Sequence, residues 1–510
     1  MLKCARMYTR LEPQGGSQPI PTGKRPIFGW PVFSLSRGEP ITAVAATTGS
    51  AFSAGSVERP PGSEGADAAG SCSLQLVVGV DIREETTVVV SIPADGSSRT
   101  IGEFDIRYGY TLQPFRLELS ARDAEAIFDY GVQLELTKGD GPLHFLLGAG
   151  SGAWSGPVPQ DALASLTLVA ADHPATPTGS GMQQVICARD SLARLVRSTA
   201  GVQPFGWMDG AVLDGAWCLL QAEEAAEVTR KHLRLFTGKD GSLSYEDARS
   251  RPRAGEYAGI EYTLPVAAFA RLDPRLPAVD AAVDFWLARA DADGLITDEE
   301  FVSAEGCYTV GYPLAVVGSA RRDRRLLQLS QAQFLLRWKL LHTEQTLQLR
   351  AHSRPIEVYR GWARAYAWFM LGLAHALPFL GEFSSSSDMC SMLETLTQRT
   401  IETRCNATGL WSCFIDESEL PVDTSGSAGI AAAMALAYRA GILGEAASES
   451  AAAAGQSLCR HISQDGLLGG VAQSNRGGEA LQRSSYRVFS QMGSGLAAQL
   501  FGSAALEVSH

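Results

Sequence analysis

The sequence is short of charge. Asp, Glu, Lys and Arg make up 19% of its 510 residues, against 45% hydrophobic residues. That balance buries a sizeable core and excludes a wholly disordered or fibrous chain. Cations are the minority: 43 Lys and Arg face 55 Asp and Glu, a formal charge of −12. A nucleic-acid partner is therefore excluded, because neutralising phosphates needs clustered basic residues. No run of eighteen apolar residues occurs, so no helix is expected to span a membrane. The nine cysteines are odd in number and spread from Cys4 to Cys459 without a tight framework, which reads as reduced thiols. Lys3, Arg6 and Arg10 open the chain, but no apolar stretch follows them, so no secretory signal is recognised and a cytoplasmic location is expected. The one glycosylation triplet, Asn406-Ala407-Thr408, is what chance supplies in a chain of this length, and it leaves secretion open.

The length allows about three domains, or one large and one small. Residues 1–72 are rich in Gly, Pro and Ser, as in Arg59-Pro60-Pro61-Gly62, and read as a flexible leader. Residues 73–175 read as short strands: Leu74–Val80, Thr86–Ile92, Phe115–Leu119, Val132–Leu136 and Leu143–Leu147. Turn signals such as Ala94-Asp95-Gly96 separate them, and the spacing predicts an all-β sandwich-like domain of roughly eight strands. Pro174-Ala175-Thr176-Pro177 reads as a linker. Residues 182–505 carry about eleven segments of helical period, near 183–199, 209–229, 262–271, 278–290, 307–319, 323–341, 358–377, 387–403, 426–440, 446–463 and 488–502. Paired helices over this length fit an α-solenoid or a closed α/α barrel. The lack of a fixed repeat motif favours the barrel.

Three motifs are set aside. Asp291-Ala292-Asp293-Gly294 opens a stretch like a calcium loop, but its first ligand position holds Arg289, which cannot coordinate a cation. Gly148-Ala149-Gly150-Ser151-Gly152 follows a strand as a dinucleotide loop does, but Pro157 stands where the helix belongs. Cys405, Cys413, Cys459 and His461 match no compact zinc spacing and read as structural thiols.

The informative stretch is Trp362-Ala363-Arg364-Ala365-Tyr366-Ala367-Trp368. Two tryptophans flank an arginine at the start of an apolar helix. Plain core packing is one reading. An arginine among aromatics needs an anionic partner, and aromatic faces beside a guanidinium suit a sugar bearing a carboxylate. The segment resembles the Trp-Ser/Ala-Arg-Gly-Gln-Ala-Trp motif of the unsaturated glucuronyl and rhamnogalacturonyl hydrolases, glycoside hydrolase families 88 and 105. Trp362, Arg364 and Trp368 match, while Ala365 and Tyr366 replace the family's Gly-Gln. Gly409-Leu410-Trp411, Asp416 and the run from Asp423-Thr424-Ser425 to Ile430 are similar to a second family block. Glu305 to Ala315 is similar to the segment that begins with the family's catalytic Asp. The resemblance covers roughly residues 182–505 and does not include the β domain.

The resemblance implies an (α/α)6 barrel and a reaction without metal or cofactor. An acid protonates C4 of a 4,5-unsaturated uronic acid, water adds at C5, and the hemiketal collapses to release the next sugar. By position, Glu305 would be the general acid and base, with Glu261 orienting the water or sharing the proton. Both are Glu where the family has Asp, and the extra methylene moves the carboxyl by about 1.5 Å. Helix capping is the other reading of both acids. Arg364 would hold the C6 carboxylate, and Trp362 and Trp368 would stack on the ring. His352 would make a polar contact, and Trp207 and Asp209 would line the mouth. The expected partner is an oligosaccharide. Two other classes stay open: a glucuronidase acting on saturated uronides, where carboxyl separation would set the stereochemistry, and a non-catalytic carbohydrate-binding protein.

Overall fold

The structure is a computed structural model that describes residues 8–14, 18–45, 72–94, 97–148, 161–170, 181–297, 301–344, 346–352, 357–381 and 386–504. The glycine loop after residue 148, the linker at 174–177 and part of the leader lie outside the described residues.

The first structural layer is built from strands β1 (Tyr8–Gln14), β2 (Val32–Leu35), β3 (Ile41–Ala45), β4 (Cys72–Val77), β5 (Glu85–Ala94), β6 (Ser97–Arg107) and β7 (Pro114–Leu119). Helix α1 (Ala121–Tyr130) and strands β8 (Val132–Lys138), β9 (Leu143–Leu146) and β10 (Thr167–Ala170) complete it. Eight of these strands order as β6-β5-β8-β3-β1-β10-β4-β7, antiparallel throughout. β1 changes partner midway: Tyr8 to Arg10 pair with β10, and Leu11 to Gln14 pair with β3. The two end strands, β6 and β7, touch, so the sheet folds over its own core. β2 and β9 form a separate pair over that core. The strands expected from 74 to 147 are present. The leader is a correction: residues 8–14, 32–35 and 41–45 are strands, and Leu11, Phe33, Leu35 and Ile41 are buried in them. Their partners lie far along the chain, as in Tyr8↔Val169.

The remainder is helical: α2 (Gly181–Arg197), α3 (Trp207–Leu219), α4 (Ala222–Leu235), α5 (Val266–Leu272), α6 (Pro277–Arg289), α7 (Tyr312–Arg321), α8 (Arg324–Leu341), α9 (Ala363–Leu380), α10 (Ser386–Thr403), α11 (Thr424–Arg439), α12 (Glu445–Leu458), the short α13 (Gly478–Arg483) and α14 (Gln491–Ser503). Where one helix was expected over 209–229 there are two, broken at Leu220. Glu223 and Glu224 open the second, where carboxylates meet the positive end of the helix. Helices α3, α5, α7, α9, α11 and α14 touch in that order, and α14 touches α3 again. The others pack outside this circle, α2 on α3 and α14, α4 on α3 and α5, and α6, α8, α10 and α12 on α5, α7, α9 and α11.

Burial separates the two sets. In α9 every residue from Ala363 to Leu377 is buried, which demands an almost wholly apolar helix. In α4 only Ala225, Val228, Thr229 and His232 are buried, a stripe at helical spacing. The inner helices approach closely on small residues: a Cβ on Gly215 of α3 would lie 2.6 Å from the carbonyl of Gly495 on α14.

Short strands edge the helices: β11 (Ser244–Glu246) with β12 (Pro252–Ala254), β13 (Phe301–Ser303) with β16 (Arg350–His352), β14 (His342–Thr343) with β15 (Thr346–Leu347), and β17 (Leu468–Ala472) with β18 (Arg487–Ser490). The β layer docks on this edge. Asp81 N donates to Ser250 Oγ (2.9 Å), the Tyr110 and Ser474 hydroxyls meet at 2.8 Å, Gln491 Nε2 donates to Leu112 O (2.8 Å), and Arg116 pairs with Asp465. None of the described helices is long and apolar enough to cross a membrane.

Candidate functional site

Glu305 lies between β13 and a π-helical turn, Cys307–Gly311, that runs into α7. Single π turns recur at functional sites because they re-aim one side chain. The segment is held from below by Arg337, which is fully buried and donates to Ser303 O (3.0 Å), Ile296 O (2.5 Å) and Gln333 Oε1 (2.7 Å). Gly306 makes room for it, since a Cβ there would meet the guanidinium at 2.1 Å. Glu261 sits in a 3-10 turn, Ile260–Tyr262, just ahead of α5.

Two hollows meet at Glu305. The narrow one, about 30 Å³, is lined by Glu305, Gln203, Trp207, Trp362, Arg364 and Trp368 among others. That is room for a water or two, not a sugar ring. The wide one, about 660 Å³, is lined by Glu261, Glu305, Trp207, Tyr110, Tyr262 and Tyr359 together with a set of arginines. Its size is that of a small-ligand pocket. Trp207, Tyr110, Glu305 and Asn475 line both.

The motif residues around the narrow cleft are bound to protein. Arg364 is 3% exposed. Its Nη1 donates to Ala472 O (2.7 Å) and Ser425 Oγ (3.4 Å), and its Nη2 to Gln473 O (2.6 Å) and Gln482 Oε1 (3.2 Å). Its Nε faces Asp423 Oδ2 at 3.7 Å. Asp423, also fully buried, caps α11 through Ser425 N (3.1 Å) and accepts from Ala472 N (3.0 Å). The two motifs therefore clamp the end of β17, from which Asn475 and Arg476 project to the wide cavity. Arg364 thus lines the narrow cleft beside Glu305 with its Nη hydrogens given to carbonyls and side chains and its buried Nε without a hydrogen-bond partner among the described residues. Trp362 and Trp368 are 2% and 3% exposed. Trp362 donates to Gln482 Oε1 (3.3 Å) and carries Arg364 on its face at 4.5 Å. Trp368 stacks on Tyr308 (centroids 5.9 Å, planes 9° apart) and meets Trp207 edge-on (5.6 Å). They back the site, and the half-buried Trp207 is the aromatic face next to the acids.

Beneath Trp368 lies a buried polar network. Asp214 accepts from Tyr308 (2.7 Å) and Tyr312 (2.9 Å), Tyr308 accepts from Gln499 (3.0 Å), and Arg271 donates to Tyr312 (2.8 Å). Burial, and then for Tyr308 the Asp214 charge, raises both phenols well above their usual range, so they stay neutral donors.

Asp209 does not line the mouth. It is fully buried in the first turn of α3, accepting from Gln203 N (3.1 Å) and pairing with His232 Nδ1 (2.9 Å). It fixes the start of the helix that bears Trp207. His352 pairs with Phe301 across β13 and β16 and lines neither hollow, whereas Arg350 on the same strand lines the wide one. The calcium-like stretch is a turn in which Asp291 Oδ1 accepts from Asp293 N (3.0 Å) and Leu295 N (2.8 Å).

Several lining groups were absent from the sequence reading: Tyr110 of the β layer, Tyr359, Arg350, Arg476, and the arginines of the loop between β11 and β12. They come from segments far apart in the chain, so no local spacing marks them.

Residues 348–502 match Glycosyl Hydrolase Family 88. Among solved structures, a possible member of family GH105 from Salmonella enterica is similar with TM-score 0.54 and 14% identity, over 64% of this chain and 95% of that one. A family 105 glycoside hydrolase from C. acetobutylicum is similar with TM-score 0.52 and 17% identity, over 62% and 98%. A polysaccharide lyase is similar with TM-score 0.50 and 16% identity, over 64% and 97%. No curated protein matches the chain. The resemblance to families 88 and 105 is thus borne out, and with it the class of enzyme, a glycoside hydrolase.

Proposed function

We propose that the protein removes a terminal 4,5-unsaturated uronic acid from lyase-generated oligosaccharides by hydrating the C4=C5 bond. In this reading the circle of six inner helices is the (α/α)6 barrel, and Glu305 is the general acid. One observation carries the assignment: Glu305, Glu261 and Trp207 share a cavity of about 660 Å³, the volume of a small oligosaccharide site.

The roles follow from that placement. Trp207 offers its face to the ring. Glu305 gives its proton to C4 and takes one from the water that adds at C5, so it ends the cycle protonated as it began. Glu261, on the wall of the same cavity, orients the water. The hemiketal at C5 opens, and the substituent on C1 leaves as an alcohol. Arg364 and Asp423 are positioning residues that hold the 472–476 segment. Each of the eight described cysteines is unpaired, which supports a reducing, cytoplasmic setting.

The test is the ultraviolet absorbance of the conjugated enol-carboxylate in unsaturated uronyl disaccharides. Wild type is expected to abolish the band, and Glu305→Gln to leave it. Equal loss with both proteins moves the acid elsewhere. No loss with any such disaccharide overturns the reading.

A further inference from the structure

The whole chain carries a charge of −12, yet the wide cavity inverts that sign. Arg83, Arg249, Arg251, Arg253, Arg350 and Arg476 line it against four carboxylates, Asp247, Glu261, Glu305 and Glu357. Six cations lining one cavity of an acidic protein are repelled by one another unless something offsets them.

Protein groups offset only part of this charge. Asp247, nearly fully buried, pairs with Arg251 (3.2 Å) and Arg253 (3.0 Å) and accepts from the amides of Arg249 (2.8 Å) and Arg251 (3.0 Å). Arg83 donates to Asp81 (2.6 Å) and Ala248 O (2.9 Å). Arg350 and Arg476 differ. Arg350 lies over the rings of Tyr359 (4.9 Å) and Phe301 (5.6 Å), and its buried Nε has no hydrogen-bond partner among the described residues. Arg476 lies over Tyr110 (4.3 Å) and gives Nη2 to Ala248 O (2.9 Å), while its buried Nη1 has no such partner. A buried guanidinium nitrogen without an acceptor is costly unless a ligand supplies one. Stacking on aromatic rings orients both forks without using their donors.

The cavity wall is also shared between the two layers. Arg83 and Tyr110 come from the β layer, and the β11–β12 loop is tied to it through Ser250. From these contacts we infer that the β layer and the Arg350–Arg476 pair form an anion subsite for the part of the substrate beyond the unsaturated ring. The natural substrate then bears a second anionic group, a sulfate ester or a carboxylate, on the sugar that is released. This inference rests on the uronyl-hydrolase reading.

The experiment compares unsaturated disaccharides that differ only by a sulfate ester, or only by a carboxylate, on the second sugar. The readout is the ratio of kcat/KM for the charged substrate over the neutral one. Wild type is expected to favour the charged substrate by roughly tenfold to a hundredfold, the range of a charge-assisted hydrogen bond, through KM more than kcat. The preference falls as salt rises. Arg476→Gln and Arg350→Gln each lower the ratio, Arg476→Lys restores part of it, and Arg83→Gln lowers it by a smaller step. Which of the two charged substrates gains more identifies the anion. A wild-type ratio near one, or a ratio unchanged in the Arg350→Gln, Arg476→Gln double variant with its melting temperature retained, overturns the inference. If no unsaturated substrate is turned over, calorimetry with the saturated sulfated and unsulfated disaccharides separates the two readings. Tighter binding of the sulfated one upholds the subsite while the hydrolase reading falls, and equal binding removes both.

Discussion

The two hollows that meet at Glu305 are made of the same residue types, arginine, carboxylate and tryptophan, but they differ in what those groups touch. Around Arg364 the four Nη hydrogens are given to backbone carbonyls and side chains, Asp423 caps a helix, and the tryptophans are closed off from solvent. The atoms left there without a hydrogen bond among the described residues, Arg364 Nε, Asp423 Oδ2 and Trp368 Nε1, sit where there is room for only a water or two. Around Glu261 the space is ligand-sized, and guanidinium nitrogens on Arg350 and Arg476 lack acceptors. The contrast separates residues that hold a site from residues that work in it. A motif visible in sequence falls on the first kind, because clamping a strand to two helices fixes spacing within a segment. The second kind needs only a position in space.

The largest expected effect is at Glu305. Replacing it by Gln removes the proton donor and lowers kcat by about 10²–10⁴-fold, with the melting temperature unchanged because the side chain is only half-buried. Circular dichroism melts and the absorbance assay, run on the same preparation, check both halves.

Next is the clamp. Arg364→Met leaves Asp423 buried without its cation and is expected to cost about 3–5 kcal/mol of stability, read by chemical denaturation. Asp423→Asn, which keeps an oxygen for the helix cap, should cost less. Loss of activity without loss of stability in Arg364→Met would return that arginine to the substrate.

The two tryptophans that meet edge-on divide in the same way. Trp368→Ala opens a hole over Tyr308 and is expected to destabilise by about 3–5 kcal/mol. Trp207→Ala is expected to raise KM with a smaller change in melting temperature, since Trp207 is half-buried at the cavity wall. Equal behaviour of the two variants would erase the distinction between the hollows.

The smallest effect concerns the β layer. His144 faces Ser34 across β2 and β9 (2.8 Å), and burial, with a minor contribution from Lys24, pushes its pKa down from 6.5 to about 4. Unfolding restores the ordinary value, so the unfolded state binds the proton more readily. The contribution of neutral His144 is full above pH 6.5 and is lost as pH falls toward 4. Thermal melts between pH 7.5 and pH 4.5 should show less destabilisation in His144→Gln than in wild type.

Most of the helical half was legible in sequence, because buried inner helices such as α9 are apolar on every side and outer ones such as α4 show one stripe. The break at Leu220 was not, since both flanking segments keep a helical period. The strands from residue 8 to 45 were hidden by a Gly- and Pro-rich composition and by partners more than a hundred residues away, as in Val32↔Leu146 and Tyr8↔Val169. At the site, Glu305, Glu261 and Trp207, all singled out from the sequence, line one cavity. Asp209 is fully buried against Gln203 and His232 rather than at the mouth, His352 lines neither hollow, and Arg364 lines the narrow one. The arginine wall was missed entirely, as its members come from four separate stretches of chain.

The central claim is that chemistry occurs in the wide cavity and the Trp-Arg-Trp motif only supports it. The most direct measurement is a crystal structure of Glu305→Gln with an unsaturated uronyl disaccharide bound. The account predicts the unsaturated ring against Trp207, with C4 next to residue 305 and the second sugar toward Arg350 and Arg476. A ring wedged between Trp362 and Trp368, with its carboxylate on Arg364, would contradict it.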